Sequence, residues 1–482
     1  MFPLSHVRNK KYAVFGLGTT GLAACEALNA GGAQVFSWDE RKSARQKTSR
    51  APFRATHPTD WPWNELEALV LSPGVPLTHP KPHVIVRKAA KEQVPVIGDI
   101  ELFAQELNAI PEADRARVIA VTGSNGKSTT TALIGHILNE TGTLAHVGGN
   151  IGEAVLSLPA PTANAVYVLE LSSYQLDLCH SLRANVAVFL NLSPDHLDRH
   201  GTMERYAEAK SRIFLNRQSG DKAIIGVGDV FTQALCSELT ARAPEDTVPI
   251  SATGALGKGI FALGGKLYYR IDNKKAEAGD ISSVRALRGD HNAENAAAAL
   301  AAVMSFDVLP SVAVRSMERF KGLPHRMETV AIHPHKDDRS ILFVNDSKAT
   351  NVDAVVNALR AYSDIYWIAG GRGKVGGVGE LCSLMGRVRR AYLIGEAADA
   401  MQEALQDSVD ICPCETLENA VAAAFHDSLL SDAKDPVVLL SPACASQDQF
   451  RDFVERGEAF KLFVREQISL ADANPEEGAA CA

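Results

Sequence analysis

The sequence predicts an α/β protein of about three domains, built mainly on parallel sheets. The chain has 482 residues, which is too long for a single hydrophobic core. Its hydrophobic content of 46%, charged content of 22% and 36 glycines fit a globular enzyme better than a disordered or fibrous chain. Nearly continuous apolar runs that end in glycine-rich or polar turns recur along it, which is the pattern of buried parallel strands.

Composition and charge exclude several classes of protein. A formal charge of −8 provides no basic face, so we expect no nucleic-acid partner. The cysteines form no CxxC pair, which indicates a reducing compartment. The N-terminal stretch lacks the apolar core of a signal peptide, and the longest apolar run, residues 296–304, is far shorter than the ~20 residues that span a bilayer. We therefore expect a cytoplasmic protein with no membrane partner.

Residues 12–21, YAVFGLGTTG, predict a strand, a glycine turn and the start of a helix. The helix continues to Ala30, and a second strand over residues 34–38 ends before Asp39. This is the dinucleotide-binding fingerprint, in which glycines let a pyrophosphate approach the helix start. It indicates a ligand with a diphosphate but does not distinguish NAD from a UDP-sugar. A Rossmann-like half that is kept for packing alone is the structural alternative.

A further strand over residues 68–71 ends in a turn that begins with Ser72. The backbone donors of this turn would lie at the carboxyl edge of the sheet, where α/β proteins bind ligands. Arg41 could contact a phosphate there, although a solvated arginine in a polar run is the simpler interpretation. The polar connector 111–117 predicts that the first domain ends at about residue 110.

Residues 118–131, VIAVTGSNGKSTTT, predict a second strand, glycine turn and helix. In such a turn, backbone N–H groups converge on phosphate oxygens, Lys127 meets the terminal phosphates, and the hydroxyl of Ser128 holds Mg²⁺. The usual pattern has four residues between its glycines, whereas only two separate Gly123 from Gly126. A tight turn with an exposed lysine is therefore the alternative.

Three polar residues of the central part have functional and structural interpretations. Glu170 lies in an apolar strand, and a buried carboxylate is costly unless it is paired or holds a metal, so it is a candidate Mg²⁺ ligand. The alternative is a strand-end glutamate that reaches solvent or a lysine. Ser193 and Pro194 predict an N-cap and first helical residue, so His196 could simply belong to a helix start. Lys210 lies on an amphipathic helix, where a lysine is normally solvated.

The glycine-rich residues 248–288 predict a small antiparallel sheet. Asn292 and Asn295 then share one face of an alanine-rich helix, where they could bind a base or cap the helix. Residues 323–326 mark the start of the third domain.

In the third domain, three apolar strands end in the loops NDSKATN, GGRGK and SPACAS. Lysines and hydroxyls at the carboxyl ends of parallel strands suit a small anionic substrate, because lysine pairs with a carboxylate. The acidic last dozen residues predict a disordered tail.

Taken together, the motifs resemble the Mur ligase family. The match extends in order over almost the whole chain, through GLGTTG, SPGVP, GDIELF, TGSNGKST, GGNIG, LELSSYQL, DHLDRH, GDHNAEN, GLPHRME, NDSKATN, GGRGK and SPACASQDQF. The family shows the same shortened glycine loop, so the spacing of only two residues between Gly123 and Gly126 favours the resemblance. NDSKATN and SPACAS look like the D-glutamate-adding member, and a diaminopimelate-type DNPxE pattern has no counterpart.

The resemblance implies a Rossmann-like domain for a UDP-linked substrate (1–110), a central P-loop-type ATPase domain (111–322) and a Rossmann-like domain for the incoming amino acid (323–482). The implied activity is ATP-dependent formation of an amide bond between UDP-N-acetylmuramoyl-L-alanine and D-glutamate, through an acyl phosphate, in peptidoglycan precursor synthesis. The implied cofactors are ATP and Mg²⁺, with two ions, and the implied state is a monomer.

The resemblance also implies roles for individual residues. The ATP loop would comprise Gly123, Ser124, Asn125, Gly126, Lys127, Ser128 and Thr129, with nucleotide contacts from Asn295, Arg326 and Asp346. The metal ligands would be Ser128, Glu170, His196 and a carbamylated Lys210, and the last three with Lys127 would be catalytic. The UDP portion would contact Thr20, Asp39, Arg41, Ser72, Pro73 and Gly74. D-glutamate would contact Thr350, Lys374, Ser446 and Phe453, and further substrate residues would be Asn150, Ser172 and Lys348.

Three other functions remain to be compared with this one. An NAD-dependent oxidoreductase explains the first domain but leaves the central loop and Lys374 without a purpose. A nucleotide-binding regulatory protein explains the loop but not the carboxylate-selective third domain. Another Mur ligase would add a different amino acid, and a folate polyglutamate ligase would not need a UDP-binding domain.

Overall fold

The computed structural model describes residues 2–49, 51–53, 55–271, 274–335, 339–373 and 378–473. Its contacts divide the chain into two units, the first comprising Met1–Ile281 and Asn292–Arg319 and the second Ser282–His291 and Phe320–Ala482. The predicted α/β class is confirmed, because the strands form three sheets that are mainly parallel. Within the described ranges, no helix combines the length and apolar character needed to cross a membrane.

The first sheet of the first unit has the strand order β2-β1-β3-β4 and is wholly parallel. Its elements are β1 (Lys11–Phe15), α1 (Thr19–Ala30), β2 (Gln34–Trp38), α2 (Lys42–Gln46), β3 (Leu66–Leu71), α3 (Val84–Lys91), β4 (Val96–Ile97) and α4 (Asp99–Ala109). The fingerprint forms the predicted turn between β1 and α1. A Cβ atom on Gly21 would lie 1.8 Å from the Gly16 carbonyl oxygen, so only glycine lets α1 pack on that turn.

The second sheet of the same unit has the order β13-β12-β11-β10-β9-β8-β5-β7-β6. Its strands are β5 (Arg117–Thr122), β6 (Leu144–Gly149), β7 (Ala165–Glu170), β8 (Val186–Phe189), β9 (Lys222–Gly226), β10 (Thr247–Ser251), β11 (Gly259–Leu263), β12 (Lys266–Ile271) and β13 (Lys274–Asp280). Its helices are α5 (Lys127–Glu140), α6 (Ser173–Asp177), α7 (Leu197–His200), α8 (Met203–Ser211), α9 (Val230–Arg242), α10 (Asp290–Met304) and α11 (Pro310–Met317). The predicted antiparallel strands, β11 to β13, extend this sheet rather than standing apart from it.

The sheet of the second unit has the order β14-β15-β19-β16-β17-β18, with only the edge strand β14 antiparallel. Its strands are β14 (Glu328–His335), β15 (Arg339–Asn345), β16 (Ile365–Gly370), β17 (Val388–Ile394), β18 (Ile411–Glu415) and β19 (Val437–Leu440). Its helices are α12 (Val352–Ala361), α13 (Ala398–Leu405), α14 (Leu417–Leu429) and α15 (Phe453–Ala473). Separate apolar cores lie on the two faces, because α12 and α13 cover one and α14 and α15 the other.

The predicted helix start at Ser193 and Pro194 is wrong, because α7 begins at Leu197. Ser193 is instead bound to the glycine loop, since its N–H donates to Ser124 Oγ at 3.0 Å. His196 is the N-cap residue of α7 and has a left-handed φ of 55°.

Each sheet lies within one of the three predicted ranges, 1–110, 111–322 and 323–482, and the first two sheets share one unit. The division into three domains stays a prediction.

Candidate active site

The second glycine turn joins β5 to α5. Gly126 has a φ of 82°, and a Cβ atom on it would lie 2.2 Å from Asn295 Oδ1, so a side chain is excluded there. Lys127 Nζ lies over the turn and donates to the carbonyl oxygens of Gly123 and Ser124 at 2.8 and 2.7 Å. Asn125 N–H donates to Asn191 Oδ1 at 2.9 Å. The loop thus holds a cation beside backbone that follows a buried strand, which suits a phosphate.

A buried carboxylate lies beside the start of α5. Glu170 is 2% exposed, and its Oε2 accepts from Ser128 Oγ at 2.5 Å while Oε1 accepts from Asn150 Nδ2 at 2.8 Å. The alternative interpretation of Glu170, a contact with solvent or lysine, is therefore wrong. A hydroxyl and a carboxylate are the oxygen donors that Mg²⁺ prefers, so this pair fits the implied ion. Among the described residues, no group of three or more His, Cys, Asp or Glu side chains is placed to hold a metal ion.

Lys210 is buried rather than solvated, contrary to the expectation from its amphipathic helix. The side chain is 1% exposed, and Nζ donates to the Gly123 carbonyl at 2.7 Å and lies 4.7 Å from the centre of the Tyr206 ring. Burial, followed by the nearby charge of Lys127, lowers the pKa of Lys210 well below its ordinary value. The structure thus brings Lys127 and Lys210 to the same loop.

His196 lies near this loop, at the start of α7. Its side chain is 46% exposed, and its ring centre lies 5.1 Å from that of Tyr174. Burial lowers the pKa of His196, as do the charges of Lys210 and Lys127, while Asp195 opposes them. The imidazole is therefore favoured in its neutral form, which can act as a ligand through a ring nitrogen.

His200, one turn further along α7, is a residue that the sequence interpretation missed. It is buried, its Nε2 lies 2.9 Å from Ser173 Oγ, and its ring stacks on Tyr174 with centres 5.5 Å apart. Burial lowers the pKa of His200 to about 4. The two histidines stand four residues apart in DHLDRH, and this spacing was the available signal.

Arg199, on the same helix, was also missed. Its guanidinium donates to the carbonyl oxygens of Gly74 at 3.1 Å, Pro73 at 3.3 Å and Val75 at 3.1 Å. It also lies 4.5 Å from the centre of the Tyr174 ring. The turn predicted to contact the UDP portion is thus held by the helix that carries His196.

The same turn contacts the first glycine turn, because Ser72 Oγ donates to the Gly16 carbonyl at 2.8 Å. Asp39 Oδ2 accepts from Leu17 N–H at 2.8 Å, and Oδ1 accepts from Arg41 N–H at 2.8 Å. Burial alone would raise the pKa of Asp39, but the hydrogen bonds from Arg41 and Leu17 lower it. The structure brings the predicted residues Asp39, Arg41 and Ser72 together around one turn, and Thr20 lies in the first turn of α1 that follows.

Asn295 is bonded within the first unit. Its Nδ2 donates to Asn292 Oδ1 at 3.0 Å, and its Oδ1 accepts from Thr130 Oγ1 at 3.2 Å. The predicted shared face is confirmed. Thr129 is half-buried in the first turn of α5, and Ser172 caps α6 in a capping box with Gln175.

The second unit holds the remaining predicted residues except Lys374, which lies outside the described residues. Lys348 Nζ lies 3.9 Å from the centre of the Phe453 ring, and Ser446 is buried while Thr350 is exposed. These residues follow β15 and β19 or begin α15, so the predicted loops do meet at one edge of the sheet.

Asp346 is buried at the end of β15 in the second unit. Its Oδ2 accepts from Ser441 Oγ at 2.9 Å, and its Oδ1 accepts from Met327 N–H at 3.2 Å. Burial raises the pKa of Asp346 to about 7, and the hydrogen bonds and the charge of Arg326 oppose that rise. Arg326 and Asp346 thus belong to the second unit, whereas Asn295 belongs to the first.

Comparisons with known proteins agree with the motifs. Residues 121–303 match the profile described as the Mur ligase middle domain, and residues 325–444 match that described as the Mur ligase, glutamate ligase domain. Over 99% of its length the chain is 49% identical to a Phenylobacterium zucineum (strain HLK1) protein named UDP-N-acetylmuramoylalanine--D-glutamate ligase, all of which it covers. A Caulobacter sp. (strain K31) protein of the same name is 51% identical over 96% of this chain and 98% of its own length.

A solved structure shows the same fold at low identity. UDP-N-acetylmuramate-alanine ligase MurC from Thermotoga maritima has a TM-score of 0.57 and 18% identity, covering 95% of this chain and 99% of that one. The two family profiles and the near-full-length relatives show that the chain belongs to the Mur ligase family.

Proposed function

We propose that this protein is the ATP-dependent ligase that adds D-glutamate to UDP-N-acetylmuramoyl-L-alanine in peptidoglycan precursor synthesis. The observation that carries the proposal is the 49% identity, over 99% of this chain, to a relative of that name. An NAD-dependent oxidoreductase is not favoured, because both family profiles and both relatives are ligases.

We assign the UDP portion to residues 1–110, ATP to 111–322 and D-glutamate to 323–482. The hydrogen bonds of Arg41 to Asp39 and of Ser72 to Gly16 support the first assignment, and those of Lys127 with its loop support the second. The contact of Lys348 with the Phe453 ring supports the third. We further propose a monomer that acts in the cytoplasm.

The proposed chemistry activates a carboxylate, which is otherwise a poor acceptor for an amine. The γ-phosphoryl group of ATP is transferred to the alanine carboxylate, and Lys127 neutralises charge that develops on the phosphoryl oxygens. The D-glutamate amine then attacks the acyl phosphate, the amide bond forms, and phosphate leaves. Most of the catalysis is positioning and electrostatic stabilisation.

Members of this family require ATP and Mg²⁺ in general. We propose that Ser128, Glu170, His196 and a carbamylated Lys210 would hold two Mg²⁺ ions, which when bound neutralise phosphate charge. The hydrogen bond between Ser128 and Glu170 supports this assignment, since both supply oxygen.

Carbamylation of Lys210 would join its amine nitrogen to the carbon of CO₂ and release a proton. The buried position of Lys210 beside Lys127 supports this modification, because it replaces a buried cation by an anion next to a second cation.

The test is phosphate release by the purified protein with ATP, Mg²⁺ and UDP-N-acetylmuramoyl-L-alanine. Release should begin only when D-glutamate is added. Release with L-lysine or meso-diaminopimelate in its place would contradict the proposal, as would reduction of NAD.

A further inference from the structure

A buried arginine connects the three loops of the second unit that follow β15, β16 and β19. Arg456 lies on α15 and is 1% exposed. Its Nε donates to Ser347 Oγ at 3.0 Å, and its Nη2 donates to the carbonyl oxygens of Ser347 at 2.9 Å and Cys444 at 3.1 Å. Its Nη1 reaches only the Gly370 carbonyl, at 3.5 Å. Every one of these acceptors is uncharged.

Among the residues that the structure describes, no carboxylate lies within 4.0 Å of the guanidinium, so it forms no ion pair there, and the charge of Asp448 acts on it only from a greater distance. Burial lowers the pKa of Arg456 to about 10, so the group is still charged at neutral pH. An unpaired buried charge is strongly unfavourable. Hydrogen bonds alone could be made by neutral donors, so the charge itself requires an explanation.

The position of Arg456 relates this charge to the amino-acid loops. Arg456 lies one helical turn beyond Phe453, and its bonding partner Ser347 is next to Lys348. Its other partner, Cys444, is two residues before the buried Ser446. The charge therefore lies under the loops assigned to the incoming amino acid, where burial leaves it weakly screened.

We propose that Arg456 determines specificity for an amino acid with a second carboxylate, whose negative charge balances the buried guanidinium. The inference rests on the proposed function and deepens it. Arg456 acts through its field and through the loops that it joins, without contacting the substrate.

Two substitutions at Arg456 separate charge from shape. Arg456→Gln removes the charge and keeps hydrogen-bond donors, whereas Arg456→Lys keeps the charge and loses the planar fork. In Arg456→Gln the KM for D-glutamate should rise by about tenfold, while Arg456→Lys should retain most of the affinity. The KM values for ATP and for the UDP-linked substrate should change less than about twofold in both. An equal rise in all three KM values would overturn the inference and leave a structural role.

A second pair of variants keeps the inference testable if Arg456→Gln does not fold. Cys444→Asp places a carboxylate beside the guanidinium, and Cys444→Asn is the neutral control of the same shape. Cys444→Asp should raise the KM for D-glutamate about tenfold above that of Cys444→Asn. Electrostatic potentials add. If a carboxylate at position 444 changes the affinity for D-glutamate, the guanidinium beside it acts on D-glutamate over a similar distance and with the opposite sign. Equal KM values in the two variants would overturn the inference.

Inhibitors test the second carboxylate directly. Glutarate should inhibit the wild-type protein more strongly than butyrate, and Arg456→Gln should lose that difference. An unchanged preference in Arg456→Gln would overturn the inference. If the wild-type protein releases no phosphate with D-glutamate, the proposed function and the inference are both overturned. If the wild type is active but the substitutions at Arg456 and Cys444 leave the KM for D-glutamate unchanged, the inference alone is overturned.

Discussion

The loop around Lys127 and the loops around Arg456 both contain buried charges, but the charges are arranged differently. In the first unit, the Glu170 carboxylate is hydrogen-bonded on both oxygens, and two lysines share the carbonyl of Gly123. In the second unit, the acceptors that bind Arg456 among the described residues are all uncharged. A site with charges of both signs suits a phosphate with its metal ions, whereas a buried cation without an ion-pair partner suits a small anion. The variants below test whether this difference is functional.

The largest expected effect is at Lys127. Lys127→Ala should lower kcat by about 10³-fold, because it removes a cation from the phosphoryl oxygens. Phosphate release at saturating substrates measures the loss, and the matched control is Lys266→Ala in β12, whose side chain is 43% exposed. If Lys127→Ala instead raised the KM for D-glutamate and left kcat unchanged, the two loops would not divide the substrates as proposed.

Lys210→Ala tests the other lysine at the Gly123 carbonyl. If a carbamate on Lys210 supplies oxygen, activity should fall by about 10²-fold and recover in part with a short-chain carboxylic acid. Lys127→Ala, tested with the same acid, should not recover. Full activity of Lys210→Ala without any additive would refute the metal-ligand role.

Arg199 tests the part of the first unit that holds the UDP-linked substrate. Arg199→Ala removes three hydrogen bonds to residues 73–75 and should raise the KM for that substrate about tenfold, with a smaller change in kcat. The matched control is Arg205→Ala, since among the described residues the Arg205 guanidinium is hydrogen-bonded to the ring of His79 and not to residues 73–75. Equal effects of the two substitutions would assign Arg199 to general packing.

The smallest effect concerns the pH dependence of stability at Asp346. Burial raises the pKa of this carboxyl from 3.8 to about 7, so its stabilising contribution is fully present below pH 3.8 and is lost as the pH rises to about 7. The free energy of unfolding of Asp346→Asn, relative to that of the wild type, should therefore rise by roughly 2 kcal/mol between pH 5 and pH 8. Thermal unfolding of both proteins across this range measures the difference. Parallel curves would show that Asp346 ionises normally in the folded chain.

The sequence predicted most of the fold, because apolar runs and glycine turns are local signals. It also predicted that the Glu170 carboxylate is buried, since Glu170 lies in an apolar strand, whereas its role as a metal ligand stays a prediction. The environment of Lys210 could not be predicted from the same pattern, because an amphipathic helix assigns a lysine to solvent until packing against Gly123 is known. The antiparallel strands β11 to β13 were predicted, but their union with the large sheet depends on a long-range pairing.

Arg199 and Arg456 escaped sequence analysis for a related reason. Each lies in a helix whose letters, LDRH and VERGEAF, are compatible with a charged surface. What distinguishes them is the set of carbonyl oxygens that they meet, and these oxygens belong to distant loops. Main-chain acceptors have no sequence signature, so arginines that bind backbone are found only once the chain is folded.

The bonds from Arg199 to residues 73–75 have a thermodynamic consequence. The turn that they hold is assigned to the UDP-linked substrate, and the helix that provides them carries His196. Ordering the turn therefore restricts the helix, and ordering the helix restricts the turn. Linkage of this kind is reciprocal. If binding of the UDP-linked substrate raises the affinity for nucleotide and metal by some factor, binding of nucleotide and metal raises the affinity for the UDP-linked substrate by the same factor.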